Sequence, residues 1–267
     1  MTYILRRFAA TLLASVAFAL PASATTFSTD YTDLWFNPAE SGWGVNLIQQ
    51  GNTIFATLFV YGPDQTARWY VASSMTGSTA TSFSGPLYRT TGPYFGATWT
   101  SGGPAVQVGT MAFNFNSPTT GTLTYSVDGV PVTKSVQRQT FIGNNLSGLY
   151  MGGLTAQGTS CAAPNPNGPI LVFNELTVTQ TSGNQVSMPV VFFTGNGQAA
   201  TCTFSGVYTQ NGKLGTINGT WSCTTGNAGA FTITQIIMSL HGWSGRFSGN
   251  DQFCQYNGNF GGVRDVR

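Results

Sequence analysis

One histidine, His241, and eight carboxylates are all the side chains in this 267-residue chain that could act as acid or base near neutral pH. A Ser–His–acid triad has to use His241, yet no Gly-x-Ser-x-Gly elbow accompanies it. His241 stands just before Gly242-Trp243 and reads as a turn residue. A histidine-rich metal site is excluded by the count, and no cofactor is implied. Gly212-Lys213 lacks the Walker spacing of a phosphate loop and reads as a hairpin turn. Glycoside hydrolysis needs two carboxylates facing one cleft, and Asp33 with Glu40 is the pair that sequence proximity offers. No residue is assigned a catalytic role. Aromatic residues are the more abundant resource. Trp35, Trp43, Trp69 and Tyr70, with Asn37, Glu40 and Asn46 as polar contacts, form a candidate platform for sugar rings or another flat apolar ligand. The competing reading places these aromatics in a core and lets Glu40 cap backbone amides or pair with Arg138.

The four cysteines have a structural reading. Cys161, Cys202, Cys223 and Cys254 are even in number, and in an exported chain they form disulfides with three possible connectivities. Gln210-Asn211-Gly212-Lys213 is a tight-turn signal between two strand-like runs, residues 201–208 and 214–223. Folding about that turn brings Cys202 to Cys223 within disulfide reach, which leaves Cys161 with Cys254. Zinc is rejected because no C-x-x-C pair occurs.

Export is read from the first residues. Arg6 and Arg7 precede an uncharged apolar run, residues 8–20, and then Pro21-Ala22-Ser23-Ala24. This is the order of a secretory signal with cleavage after Ala24, and the run is too short to span a bilayer, which takes about 20 residues. The expected destination is the periplasm or the cell exterior. Cleavage removes two of ten basic residues and leaves eight against eight acidic ones. A neutral chain argues against nucleic acid as partner. Charged residues make up 7% of the sequence, against about 25% in ordinary soluble proteins, so Thr, Ser, Asn, Gln and Gly supply the polarity. Aromatics at 13% give ample material for a core and exclude disorder.

The elements that must position these residues are strands. In the first half they are expected at residues 43–49, 53–61, 68–74, 81–89, 94–99, 106–114, 120–127 and 130–139. The last two flank Asp128-Gly129, a two-residue hairpin signal. In the second half they are expected at 148–151, 170–179, 185–193, 201–208, 214–223, 230–237, 242–247 and 253–260. Residues 235–240 are the one place where a helical turn fits. All cysteines lie beyond residue 160, which divides the mature chain into a Trp-rich unit, residues 25–142, and a disulfide-bonded unit, residues 143–267. The short joint Ile142-Gly143-Asn144-Asn145 implies abutting domains.

Eight short strands per half, joined by tight turns, predict an all-β protein of two small antiparallel up-and-down barrels, since closure removes exposed edges. A β-sandwich is the alternative for either half. A porin-like membrane barrel shares the signal and the alternation. It is disfavoured because many strands are shorter than roughly 10 residues and the chain ends in Val266-Arg267.

One segment adds a resemblance. Residues 31–44 include Asn37-Pro-Ala-Glu-Ser-Gly-Trp-Gly44. They are followed in order by Phe59-Val-Tyr-Gly, Trp69-Tyr70, Ser84-Gly-Pro-Leu-Tyr-Arg-Thr-Thr-Gly92 and Arg138-Gln-Thr-Phe141. This resembles an uncharacterised domain family of exported proteobacterial proteins and covers about residues 31–141. The family often has two tryptophans where this chain has Trp35-Phe36. The resemblance implies a β domain and carries over no catalytic residue. The second half is only loosely similar to avidin-like and lipocalin-like barrels. Trp243-Ser-Gly-Arg-Phe-Ser-Gly249 and Cys254-Gln-Tyr-Asn-Gly-Asn-Phe-Gly-Gly-Val-Arg264 alternate large and small residues, as a tapering barrel interior requires. Such a barrel is either filled by side chains or holds one small ligand. The loop at 162–169 serves as a lid or as a stapled surface loop.

The expected function is therefore exported, non-enzymatic binding or cell-surface interaction, with a glycan or small apolar molecule as ligand. The alternatives are a polysaccharide or peptidoglycan hydrolase using Glu40 and Asp33, and a purely structural adhesion or matrix module.

Overall fold

The computed structural model describes residues 29–162, 167–193 and 199–265. The expected signal peptide and the middle of the 162–169 loop lie outside the described residues. Residues 33–138 form a closed antiparallel barrel of eight strands in sequence order. They are β1 (Asp33–Phe36), β2 (Gly44–Gln50), β3 (Thr53–Tyr61), β4 (Ala67–Gly77), β5 (Ser82–Arg89), β6 (Val106–Phe115), β7 (Thr120–Val127) and β8 (Val130–Arg138). Side chains alternate across a strand, and the buried positions follow that period: Val45 and Leu47, then Ile54, Ala56 and Leu58, then Met111, Phe113 and Phe115. Asp128 and Gly129 both have positive φ, 48° and 85°, as a two-residue hairpin turn of the primed type demands. The barrel closes where β1 meets β8, with Trp35 opposite Arg138.

The second barrel comprises β9 (Gly148–Thr159), β10 (Gly168–Leu171), β11 (Asn174–Gln180), β12 (Gln185–Phe193), β13 (Ala199–Asn211), β14 (Leu214–Cys223), β15 (Ala228–Ser239), β16 (Gly242–Asp251) and β17 (Gln255–Arg264). β10 and β11 pair with successive stretches of one edge of β9. They act as a single stave broken at Val172-Phe173, where Leu154 and Val172 exchange both backbone hydrogen bonds. β17 pairs with the other edge of β9 from Gln255↔Thr159 to Arg264↔Tyr150 and closes eight staves.

Both barrels carry apolar residues inside, and polar residues share the outside with exposed apolar ones such as Ile48, Phe55 and Val207. Exposed outward positions include Thr124, Thr133 and Ser135 in the first and Thr220, Ser244, Arg246 and Asn250 in the second. The interior of a membrane-spanning barrel is polar instead. Two disulfides, Cys202–Cys223 and Cys161–Cys254, match the expected pairing, and Cys202 lies directly opposite Cys223 in the β13–β14 register. Such bonds form and persist in oxidising compartments.

Three local expectations are corrected. Asp33–Phe36 is a strand, although the segment reads as loop. Residues 94–99 are not a strand: they belong to the long β5–β6 connection, whose tip is a turn in which Ala97 N donates to Tyr94 O at 3.0 Å. Residues 235–240 hold no helical turn. Gln235, at φ 52°, forms a β-bulge where the register shifts between Thr234 and Ile237.

The barrels touch through the β13–β14 hairpin. Lys213 N donates to Asp33 Oδ2 at 2.9 Å, Gly212 N to Thr140 Oγ1 at 2.8 Å and Asn144 N to Gln210 Oε1 at 2.6 Å. Lys213 Nζ reaches Asp30 Oδ2 at 2.6 Å.

Candidate functional site

The seven residues predicted as a binding platform do not converge. Trp35 is 0% exposed. Its indole N–H donates to Tyr31 O at 2.9 Å, and its ring packs among Tyr31, Phe113 and Phe115. Tyr70 also points inward and is buried. Neither reaches the outer wall, because successive residues of a strand face opposite sides of it and these two face the lumen. Trp69 and Asn46 are exposed on the outer wall. Asn37 shapes its own turn, with Oδ1 accepting from Ala39 N at 2.9 Å and its carbonyl from Glu40 N at 3.0 Å. Trp43 is half-buried, donates to Glu40 Oε2 at 3.0 Å, and has Lys134 Nζ 5.9 Å from its ring.

The hydrolase pair is also separated. β1 runs from Asp33 at the end that meets the second barrel towards the opposite end, where Glu40 lies. Glu40 pairs with Lys134 at 2.8 Å, not with Arg138. The Lys134 hydrogen bond holds the Glu40 carboxyl below the usual range, which suits an ion pair and not a proton donor. Asp33 accepts from Arg138 Nη1 at 2.9 Å and from the Lys213 amide. Arg138 is fully buried and satisfied, donating also to the carbonyls of Pro118, Thr32 and Asp30, with its guanidinium 4.9 Å from the Trp35 ring centroid. Burial pulls its pKa below the ordinary value while Asp33 acts against that. This network seals one end of the first barrel; the hollow of about 250 Å³ beside it takes Asp33 and Lys213 but no second carboxylate.

The second barrel is different. At the end carrying both disulfides, the interior opens into a cavity of about 200 Å³. Its wall takes Leu154 from β9, Ile170 from β10, Phe192 from β12, Ala200, Cys202 and Phe204 from β13, Trp221 and Cys223 from β14, Phe247 and Asp251 from β16 and Tyr256 from β17. Phe204 forms the aromatic hub beneath it, its ring centroid 5.3 Å from Phe231, 5.4 Å from Phe260, 6.0 Å from Phe247 and 6.1 Å from Trp221. The Trp221 indole lies over Gly229, where a Cβ would stand 2.9 Å from Nε1. That nitrogen is buried and has no acceptor among the described residues, an arrangement that costs a donor its desolvation energy, about 1–3 kcal/mol.

One polar pair marks the rim. Tyr256 OH donates to Asp251 Oδ2 at 2.9 Å, while Asp251 Oδ1 accepts from the Phe253 and Cys254 amides at 2.7 Å each. Burial, and then the Asp251 carboxylate that holds the phenolic proton, push the Tyr256 pKa up to about 12. The phenol is thus a fixed neutral group. Cys161–Cys254 ties the end of β9 to the β16–β17 turn at the same rim.

A second concavity, about 540 Å³, lies along the outer wall of β9, β16 and β17 and includes Gly153, Gly261, Phe173 and His241. No carboxylate lines it, so His241 has no triad there. The cavity residues escaped sequence reasoning because each strand contributes only one to three of them. The readable signal was the large–small alternation of β16 and β17.

Fold and site together define a tandem of two up-and-down eight-stranded barrels, one filled and one open at a disulfide-bonded mouth. No family model and no curated protein matches the chain.

Proposed function

We propose that this is an exported binding protein whose second barrel takes one small, largely apolar molecule at its mouth. The observation that carries the reading is the aromatic-lined cavity with, in its wall, a buried indole N–H that has no acceptor among the described residues. Ligand sites are concave and mostly apolar, with few polar groups that fix orientation. The size fits one ring, since an apolar cavity of roughly 150 Å³ holds a benzene. Trp221 Nε1 favours a ligand with a hydrogen-bond acceptor. The neutral Tyr256 phenol, hydrogen-bonded to the Asp251 carboxylate, adds polarity at the rim.

Acetophenone, a ring bearing a carbonyl, serves as the probe and ethylbenzene as its acceptor-free counterpart. Calorimetry on the mature protein should show both binding, acetophenone more tightly. Ala200→Phe, which fills the cavity, should abolish both. Trp221→Phe should weaken acetophenone by about 2–10-fold, one net hydrogen bond, and leave ethylbenzene unchanged. Equal binding to wild type and Ala200→Phe would contradict the proposal.

A further inference from the structure

The first barrel presents a different kind of surface at its far end. The connection between β5 and β6, residues 90–105, contains no charged residue. It holds three aromatic side chains in solvent: Tyr94 at 69%, Phe95 at 94% and Trp99 at 71% exposure. Loops longer than about 12–15 residues without secondary structure are uncommon in compact domains and are usually functional or disordered. This one is internally braced. Gly103 N donates to Thr91 O at 2.8 Å and closes the base, and the Tyr94–Ala97 turn forms the tip. Gly92 and Gly102 both lie close to the Trp99 ring, within 3.7 Å of an added Cβ. Tyr94 and Phe95 stand with ring centroids 4.5 Å apart and planes tilted by 53°.

Strand direction places the loop at the end of the barrel opposite the contact with the second barrel, beside the β1–β2, β3–β4 and β7–β8 turns. Tyr61 on β3 at 59% and Trp69 on β4 at 56% exposure stand at the same end of the barrel. The cations at this end are already paired: Arg68 with Asp64, Arg89 with Asp128 and Lys134 with Glu40. A tilted ring pair led by an almost fully exposed Phe is a poor stacking platform for a sugar, which prefers coplanar Trp or Tyr faces. It is a good wedge for an apolar phase. Trp and Tyr concentrate at the membrane–water interface, where an amphipathic ring meets the headgroups. Absence of free positive charge matches a neutral headgroup layer in place of an anionic one.

We propose that residues 90–105 form a membrane-docking loop that inserts Phe95, with Tyr94 and Trp99, into the interface of an electrically neutral lipid bilayer. The barrel wall stays outside the bilayer, and attachment is peripheral and reversible. This rests on the first barrel alone and is independent of the ligand proposal for the second.

Flotation of the mature protein with pure phosphatidylcholine vesicles tests it, at low and high salt, alongside Phe95→Ser/Trp99→Ser and Trp69→Ser. Expected results are co-flotation that is insensitive to salt, a loss of at least tenfold in the double variant with an unchanged circular dichroism spectrum, and a smaller loss in Trp69→Ser. No flotation overturns the proposal. So does binding restricted to anionic vesicles and reversed by salt, or binding equal in the double variant. Self-association on gel filtration without vesicles, abolished by the double variant, would give the loop to a second copy of the chain and also overturn it.

Discussion

The two barrels share eight staves, a connectivity and an apolar lumen, but they solve the problem of their interiors differently. The first fills its lumen. Tyr31 stacks on Phe115 with centroids 3.5 Å apart, Trp35, Phe83 and Phe113 complete the cluster, and buried Arg138 anchors the end nearest the second barrel. It contains no cysteine. The second packs its lumen tightly only at the end facing the first barrel, where Tyr150 OH donates to Leu146 O and accepts from Arg264 Nη2. At its other end packing gives way to a cavity, and both cystines sit there. Where side chains do not fill the barrel, covalent bonds hold the rim. An unfilled end gives up burial free energy, about 1.5–3 kcal/mol for each large apolar side chain, and two cystines offset that loss.

The largest expected break in this comparison comes from the rim. Replacing Cys161 and Cys254 by Ser removes a cross-link spanning 93 residues, worth about 4–5 kcal/mol in the chain-entropy account. Calorimetry should show the second barrel melting earlier and the first unmoved; equal shifts in both would deny that the cystines act locally. Next is Arg138→Ala, which leaves Asp33 and three carbonyls without their buried donor. Breaking a buried pair from one side costs about 3–5 kcal/mol, here expected in the first barrel, read by chemical denaturation.

A smaller effect sharpens the account of the mouth. In wild type, Tyr256 should titrate at about 12 by tyrosinate absorbance. Its folded pKa is raised, so the fold prefers the neutral phenol. That contribution is present below the ordinary value of 10 and lost as pH climbs towards 12. Asp251→Asn removes the carboxylate and keeps the burial, so the midpoint should fall part of the way to 10; an unmoved midpoint would show that Asp251 does not hold the proton. The smallest change is Lys213→Ala. Burial raises the Asp30 pKa, but hydrogen bonds from Lys213 and Thr32 outweigh it and hold the group below 3.8. The Lys213 contact is thus present above that value and lost as pH falls through the lower folded one. The pair is partly exposed, so its loss should cost under about 1 kcal/mol and vanish at high salt.

Sequence and structure agree best where a feature is local. The Cys202–Cys223 bond was legible because a two-residue turn at Gly212-Lys213 fixes the register of ten facing pairs from Asn211↔Leu214 to Cys202↔Cys223. Eight strands in the first half were expected and eight exist, but through two opposite errors. Leu34-Trp35-Phe36 is a short apolar run without visible alternation, and only the lumen decides that Trp35 points inward. Tyr94-Phe-Gly-Ala-Thr-Trp99 looks like alternation, yet Gly92-Pro93 and Gly102-Gly103-Pro104 isolate it as a loop. The motif at residues 37–44 drew attention through its density, and the structure explains that density by turn geometry: Gly42 at φ 112° sits against the Tyr61 ring. The cavity has no such local signature. It exists only after seven staves have brought their inward residues together, a relation that spans about a hundred residues of sequence.

The most direct test is the indole region of a two-dimensional ¹H–¹⁵N NMR spectrum of the mature protein, which holds six tryptophans, titrated with acetophenone. The account predicts that the Trp221 N–H signal moves downfield as it gains an acceptor, while the Trp35 signal stays fixed. Saturating acetophenone that leaves Trp221 unmoved, or that shifts the first-barrel indoles instead, would contradict the assignment of the binding site to the second barrel's mouth.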